Sequence, residues 1–196
     1  MSAAIKRGER KLANIEIRRP QPGDVEKLHQ FFELVLRDTF AREGLAHMTE
    51  DLEKEIFEKK SILKEALESN GKKRYFLTAL IEGEIIGTIE YGPTGSIILD
   101  CTKGELEGVV EVGTVFVHPA YQRQGIGTIL LNAICITLLG RNIDEFCLDS
   151  GYKNAQRVWR NKFGEPAYII KDYWGEGCDH MIWRKHIKDL PIIFRI

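Results

Sequence analysis

Residues 110–131, Val-Glu-Val-Gly-Thr-Val-Phe-Val-His-Pro-Ala-Tyr-Gln-Arg-Gln-Gly-Ile-Gly-Thr-Ile-Leu-Leu, carry the clearest chemical signal in the chain. Gln122, Arg123, Gln124, Gly125, Ile126, Gly127 and Thr128 make a basic, glycine-rich turn. Before it, Val110, Val112, Val115 and Val117 have the β-branched character of a strand, which Pro119 ends. After it, Ile129, Leu130, Ala133 and Ile134 recur at helical spacing. Such a turn aims several backbone N–H groups at one spot, at the positive end of a helix dipole. Two glycines let a ligand come close to the backbone. The chemistry this supports is the binding of a pyrophosphate.

Two widespread phosphate motifs are excluded. The dinucleotide fingerprint needs a third glycine where Leu130 stands, and no Gly-x4-Gly-Lys-Ser/Thr run exists. What matches is Gln/Arg-x-x-Gly-x-Gly/Ala directly after a strand, carried by Gln122, Gly125 and Gly127 with Val117 and Pro119 upstream. On these residues the chain resembles the GNAT superfamily of N-acetyltransferases. The resemblance spans roughly residues 14–187, with its sharp part at 110–131.

The resemblance implies transfer of an acetyl group from acetyl-coenzyme A, as cosubstrate, to a primary amine that attacks the thioester directly. It implies that main chain around Phe116 and Val117 pairs with the pantetheine arm, that Gln122–Thr128 holds the pyrophosphate, and that Asn154 contributes to cofactor binding. It implies a catalytic base at Glu111, six residues before Val117. Strand alternation places Glu111, Gly113, Val115 and Val117 on one face. The family's acid is a tyrosine after the fifth strand. With Ala155 aligned to the family's alanine, Trp159 stands at the tyrosine position, and an indole only donates hydrogen bonds. Tyr152 and Tyr173 are the substitute candidates, with solvent as a third source of the proton. The missing tyrosine keeps a second reading open, a catalytically weak coenzyme A-binding module or regulatory partner on the same fold. Arg123 meets a phosphate or is solvated; His118 reads as a solvated turn histidine. Carboxylates of the Asp38–Glu43 connection, and Asp172 and Asp179 before the last strand, border the acceptor cleft and could hold a cationic amine.

Composition narrows the class. The chain has 196 residues, 43% hydrophobic and 29% charged, with a formal net charge of −1. One soluble domain is the default, and bulk charge argues for neither nucleic acid nor a membrane surface. The cysteines Cys101, Cys135, Cys147 and Cys178 form no Cys-x-x-Cys pair and no zinc spacing with histidine, so no metal is expected. They fit a reducing cytoplasm. The basic N-terminus has no apolar core and is not a secretory signal. The apolar run Ile129–Leu139 is too short for a membrane span.

The elements that must position these residues follow from period and punctuation. Residues 1–13 read as a flexible arm and 14–196 as one domain. A strand at Ile15–Arg19 precedes a helix capped by Asp24 and running to about Arg37, with Val25, Leu28, Phe32 and Leu36 inward. A second helix is capped by Thr49, buries Leu52, Ile56, Leu63 and Leu67, pairs Glu55 with Lys59 on its surface, and stops at Asn70-Gly71. A hairpin at Arg74–Tyr91 follows, then a long connection over 92–109 with a possible short strand at Ile97–Leu99. After the central strand–turn–helix come a strand at Glu145–Asp149, a helix at Asn154–Lys162, and closing strands at Ala167–Ile170 and His180–Arg184. The expected fold is α/β, a GNAT-like mixed sheet of six to seven strands with about four helices. The apolar tail Leu190, Ile192, Ile193 and Phe194 packs on its own domain or on a second copy in a homodimer.

Overall fold

Alternating strands and amphipathic helices must stack as layers to bury their apolar sides. The structure, a computed structural model that describes residues 14–193, resolves this stacking into one mixed sheet. The elements are β1 (Ile15–Arg18), α1 (Val25–Arg42), α2 (Thr49–Glu68), β2 (Tyr75–Ile81), β3 (Glu84–Pro93), α3 (Ser96–Cys101) and β4 (Val110–Val117). They continue as α4 (Ile126–Leu139), β5 (Glu145–Ser150), α5 (Lys153–Phe163), β6 (Tyr168–Ile170) and β7 (His180–His186). The strand order is β1-β2-β3-β4-β5-β7-β6, and only β4 and β5 run parallel. The arm 1–13 and Phe194 lie outside the described residues.

Two apolar layers sandwich the sheet. On one face α1 and α2 set Leu28, Phe32, Leu63 and Ala66 against Phe76 and Leu80. On the other, α4 and α5 set Leu130, Ile134, Leu138, Trp159 and Phe163 against Leu77, Phe146, Leu148 and Trp183. Gly87 on β3 lets α4 lie this close. A Cβ there would stand 2.9 Å from Leu130 Cδ1 and 3.1 Å from the Phe116 carbonyl.

Four local expectations are corrected. The first helix runs five residues past Arg37, because Phe40 continues the Leu28–Phe32–Leu36 stripe at i+4 and is buried. Residues 38–42 are therefore its last turn, not a connection. Asp24 makes no cap bond to α1; it accepts Arg18 Nη1 at 2.6 Å and Nη2 at 3.0 Å, and the guanidinium holds its carboxyl below the usual range. Thr49 is the first helical residue of α2 and makes no cap bond. Ile97–Leu99 is helical, within α3, where Ile98 packs beside Leu106 and Cys147. An apolar run that short fits either period, and the flanking geometry decided it. At the end of α2 the Asn70-Gly71 stop holds as a Schellman turn, with Gly71 N–H on the Ala66 carbonyl and Asn70 N–H on that of Leu67.

Candidate active site

β4 is pinned to β3 along its length but to β5 only at its start. Its pairing with β5 is confined to Val110↔Phe146 and Glu111↔Cys147, whereas its pairing with β3 continues to Val117↔Gly87. Beyond Glu111 the two parallel strands no longer pair, and among the described residues that edge of β4 has no ladder partner. Phe116 and Val117 sit at the end of that edge, next to the turn.

A bulge changes which side chains face which way. Between Thr88↔Phe116 and Glu90↔Gly113, β3 advances two residues and β4 three. The extra residue is Thr114, held at φ 48° with its carbonyl bonded by Thr88 Oγ1 at 2.9 Å. The expected single face of Glu111, Gly113, Val115 and Val117 is therefore broken. Val115 and Val117 join Val112 against the α4 layer, whereas Phe116 joins the α1–α2 layer. Glu111 and Gly113, on alternate residues to Val112, share the side of Phe116.

Glu111 is half-buried with one oxygen tied down, since Gly95 N–H donates to Oε2 at 2.7 Å. Burial, and then the neighbouring Asp149 carboxylate, push its pKa up to about 7. Asp149 lies two residues beyond Cys147 on β5, hence on the same side as Glu111. It accepts from His180 Nε2 at 3.0 Å. Trp174 Nε1, which can only donate, reaches His180 Nδ1 at 3.0 Å, so the imidazole proton sits on Nε2 and points at Asp149. Gly151 makes room for this, because a Cβ there would stand 2.5 Å from Trp174 Nε1. This Trp174–His180–Asp149 chain was invisible to sequence reading, which had no way to bring residues 149 and 174 together.

The glycine turn leaves its donors free. A short 3-10 turn at Pro119–Tyr121 is capped by His118 Nδ1, which accepts Ala120 N–H at 3.2 Å, giving that histidine a structural task. Arg123 and Gly125 take φ of 59° and 90°, and α4 begins at Ile126. Among the described residues, the backbone N–H groups of Arg123, Gln124, Gly125, Ile126 and Gly127 donate to no protein acceptor. A Cβ on Gly125 would meet nothing within 4 Å, and one on Gly127 only Val117 Cγ2 at 3.7 Å. The space before these glycines is open. Gln122 faces inward instead: its Nε2 donates to the Val117 carbonyl at 3.2 Å and its Oε1 accepts Arg42 Nη1 at 2.8 Å, bracing α1 against the end of β4. Lys162, from α5, donates to Thr128 Oγ1 at 2.7 Å and adds a cation beside the turn that sequence reading did not assign to it.

The remaining candidates are placed as follows. Asn154 is in the first turn of α5, its N–H and that of Lys153 received by Glu43 at 2.9 and 3.1 Å. Glu43 thus caps α5, and Asp38 pairs with Arg42. The Tyr152 hydroxyl donates to Glu55, which is therefore not simply a surface partner of Lys59. Burial and that carboxylate raise the tyrosine's pKa well above its usual value. Tyr173 is 41% exposed, edge-on to Trp174 on the loop between β6 and β7. In that loop Asp172 accepts Gly177 N–H at 2.6 Å, and Asp179 pairs with Lys171. Trp159 is a core residue stacked on Phe163 at 5.5 Å. All four cysteines are free, and no cluster of metal-binding side chains occurs among the described residues.

A sheet that opens at one parallel pair, with free N–H groups at the start of the next helix, is an arrangement for a long ligand with an anionic centre. The family model described as Acetyltransferase (GNAT) family matches residues 28–164. The chain belongs to the GNAT acetyltransferase family. Solved structures share the fold. The PaiA N-acetyltransferase of Thermoplasma acidophilum, solved in complex with coenzyme A, is 22% identical with a TM-score of 0.64 over 88% of this chain and 99% of that one. An N-acetyltransferase of Staphylococcus aureus is 13% identical with a TM-score of 0.64 over 89% and 99%. The ribosomal-protein-alanine N-acetyltransferase of Brucella melitensis is 20% identical with a TM-score of 0.61 over 87% and 99%. No curated protein sequence matches the chain. No helix among the described residues is long and apolar enough to cross a membrane.

Proposed function

We propose that this acetyltransferase moves the acetyl group of acetyl-coenzyme A to a primary amine by direct attack, in the cytoplasm and without a metal. The observation that carries the reading is the run of free N–H groups at Arg123–Gly127, placed beside the open edge of β4. The N–H groups take the pyrophosphate, Arg123 and Lys162 add positive charge, and the main chain of Phe116 and Val117 receives the pantetheine arm. The acetyl group is thereby brought into the opening that Glu111 borders.

The acceptor needs a base. A primary amine has a pKa near ~10.4, so at neutral pH on the order of one in a few thousand is uncharged. Glu111, its pKa pushed up to about 7 by burial and the neighbouring carboxylate, is a stronger base than an ordinary carboxylate and takes the proton directly or through water. Its Oε2 is steadied by Gly95, leaving Oε1 for the exchange. The thiolate that leaves takes its proton from solvent. Tyr152 is committed to Glu55, and Tyr173 sits on an exposed loop.

Thiol release with acetyl-coenzyme A and a panel of primary amines tests the reading. The expected result is release that requires an amine and leaves that amine acetylated. Tight coenzyme A binding with no amine-dependent release would instead establish the binding-module alternative.

A further inference from the structure

A second concave site lies at the other end of β4, away from the glycine turn. A cleft of about 480 Å³ opens between the ends of β3 and α4 and the start of β4, within the size range of small-molecule sites. Its apolar wall is Leu99, Val109, Val110 and Ile143. Its polar rim holds Lys72, Lys73 and Arg141 against Glu107, and Lys73 is itself paired with Glu65. In a chain of net charge −1 this is a local excess of positive charge.

The rim is built. Arg141 lies 4.3 Å over the Tyr75 ring and 5.8 Å from that of Tyr91, and its Nη1 is fixed on the Gly71 carbonyl at 2.9 Å. Tyr75 and Tyr91 stack at 5.7 Å, and Arg19 covers Tyr75 at 5.4 Å. Among the described residues two buried side-chain polar atoms lack any hydrogen-bond partner, the Tyr91 hydroxyl and Arg19 Nε. Both belong to this stack. Tyr91 is 5% exposed and lines the cleft, and Arg141, close enough to act on its hydroxyl oxygen, leaves the O–H proton without an acceptor. A buried polar group without a partner destabilises the fold, and an oxyanion at this position would satisfy it.

The cleft wall also ends one residue before the group that holds the candidate base. The wall Tyr91-Gly92-Pro93-Thr94 runs into Gly95, whose N–H holds Glu111. Thr94 ties that wall to the other side of the cleft through the Val109 carbonyl.

We propose that this cleft is an effector site for a small organic anion, its carboxylate or phosphate head set on Arg141 and the Tyr91 hydroxyl and its apolar body on Leu99, Val109 and Ile143, with occupancy transmitted to Gly95. Binding at this cleft is separate from acetyl transfer and is measured without turnover. Benzoate and phenyl phosphate are titrated into the isotope-labelled full chain and followed by amide NMR, with benzylamine as the cationic control. For at least one anion the expected result is saturable shifts at Tyr91, Val109 and Arg141, with a Kd on the order of 1 mM, as roughly ten heavy atoms allow. The Gly95 amide should move along the same curve. Tyr91→Phe keeps the ring and should weaken binding about three- to fivefold, and Arg141→Gln about tenfold or more. Whichever anion binds more tightly identifies the head group. Absence of saturable shifts in the cleft, shifts confined to Gln122–Thr128, benzylamine binding as tightly, or unchanged affinity in both variants would overturn the site. Saturation of the cleft with Gly95 unmoved would overturn its link to Glu111.

Discussion

Glu111 is the residue on which proposed chemistry and folding energetics meet. Its position was legible only through the family resemblance, six residues before Val117; the neighbours that tune it, Gly95 and Asp149, were not legible at all, being brought together by the fold. Glu111→Gln keeps the Gly95 bond and removes the proton acceptor. Turnover should fall about 10²–10⁴-fold with coenzyme A affinity little changed, as steady-state kinetics and calorimetry would reveal. In the wild type kcat/KM should decline below pH 7, as the carboxylate with a pKa of about 7 takes up a proton, and this limb should be absent in the variant. The same shift has a stability consequence. A carboxyl with its folded pKa raised from 4.5 to about 7 favours the folded state at low pH, and that contribution is lost as pH rises through 7. Glu111→Gln should therefore be more stable than the wild type at pH 8, by up to about 3 kcal/mol, with the difference vanishing near pH 4 in denaturant titrations. Equal stability at both pH values would contradict the burial of an ionisable Glu111.

At the scale of elements, what was legible followed from repeated local signals. The strand–turn–helix over 110–131 combined β-branched residues, a proline, two glycines and a helical stripe, and each of these points the same way. The bulge at Thr114 had no such mark: threonine is a good strand residue, and only the β3 register exposes the extra position. The reach of α1 to Arg42 was readable in Phe40, whereas the capping of α5 by Glu43 joins residues 110 positions apart. Close approaches between elements give a further prediction. Gly87→Val would press into Leu130 and the Phe116 carbonyl, and should destabilise by about 1–3 kcal/mol while lifting α4 and weakening coenzyme A binding. Gly151→Ala would push Trp174 off His180; it should free the β6–β7 loop, read as faster amide exchange over 171–179, with coenzyme A affinity preserved. Unchanged exchange there would show that the Trp174–His180 bond does not anchor the loop.

For the whole molecule, the apolar tail asked whether one copy suffices. Leu190 and Ile192 pack against the α4 layer, and Asn132 Nδ2 donates to the Ile193 carbonyl at 2.8 Å, so the described part of the tail covers its own domain. Ending the chain at Asp189 should cost about 1–3 kcal/mol of stability without changing the mass seen by light scattering. A halving of that mass would support the homodimer reading. The two ends of β4 divide the molecule's proposed work: glycine turn at one, anion cleft at the other, Glu111 between them. Coenzyme A binding depends most directly on the turn, and the clean probe there is Gly127. Gly125 sits at φ 90°, so any side chain strains the backbone, whereas a Cβ on Gly127 meets only Val117 Cγ2 at 3.7 Å. Gly127→Val should therefore fold normally yet intrude on the space in front of the free N–H groups. Calorimetric titration of coenzyme A into this variant is the most direct measurement. The expected result is affinity weakened about tenfold or more with an unchanged melting temperature. Wild-type affinity in the folded variant would contradict it.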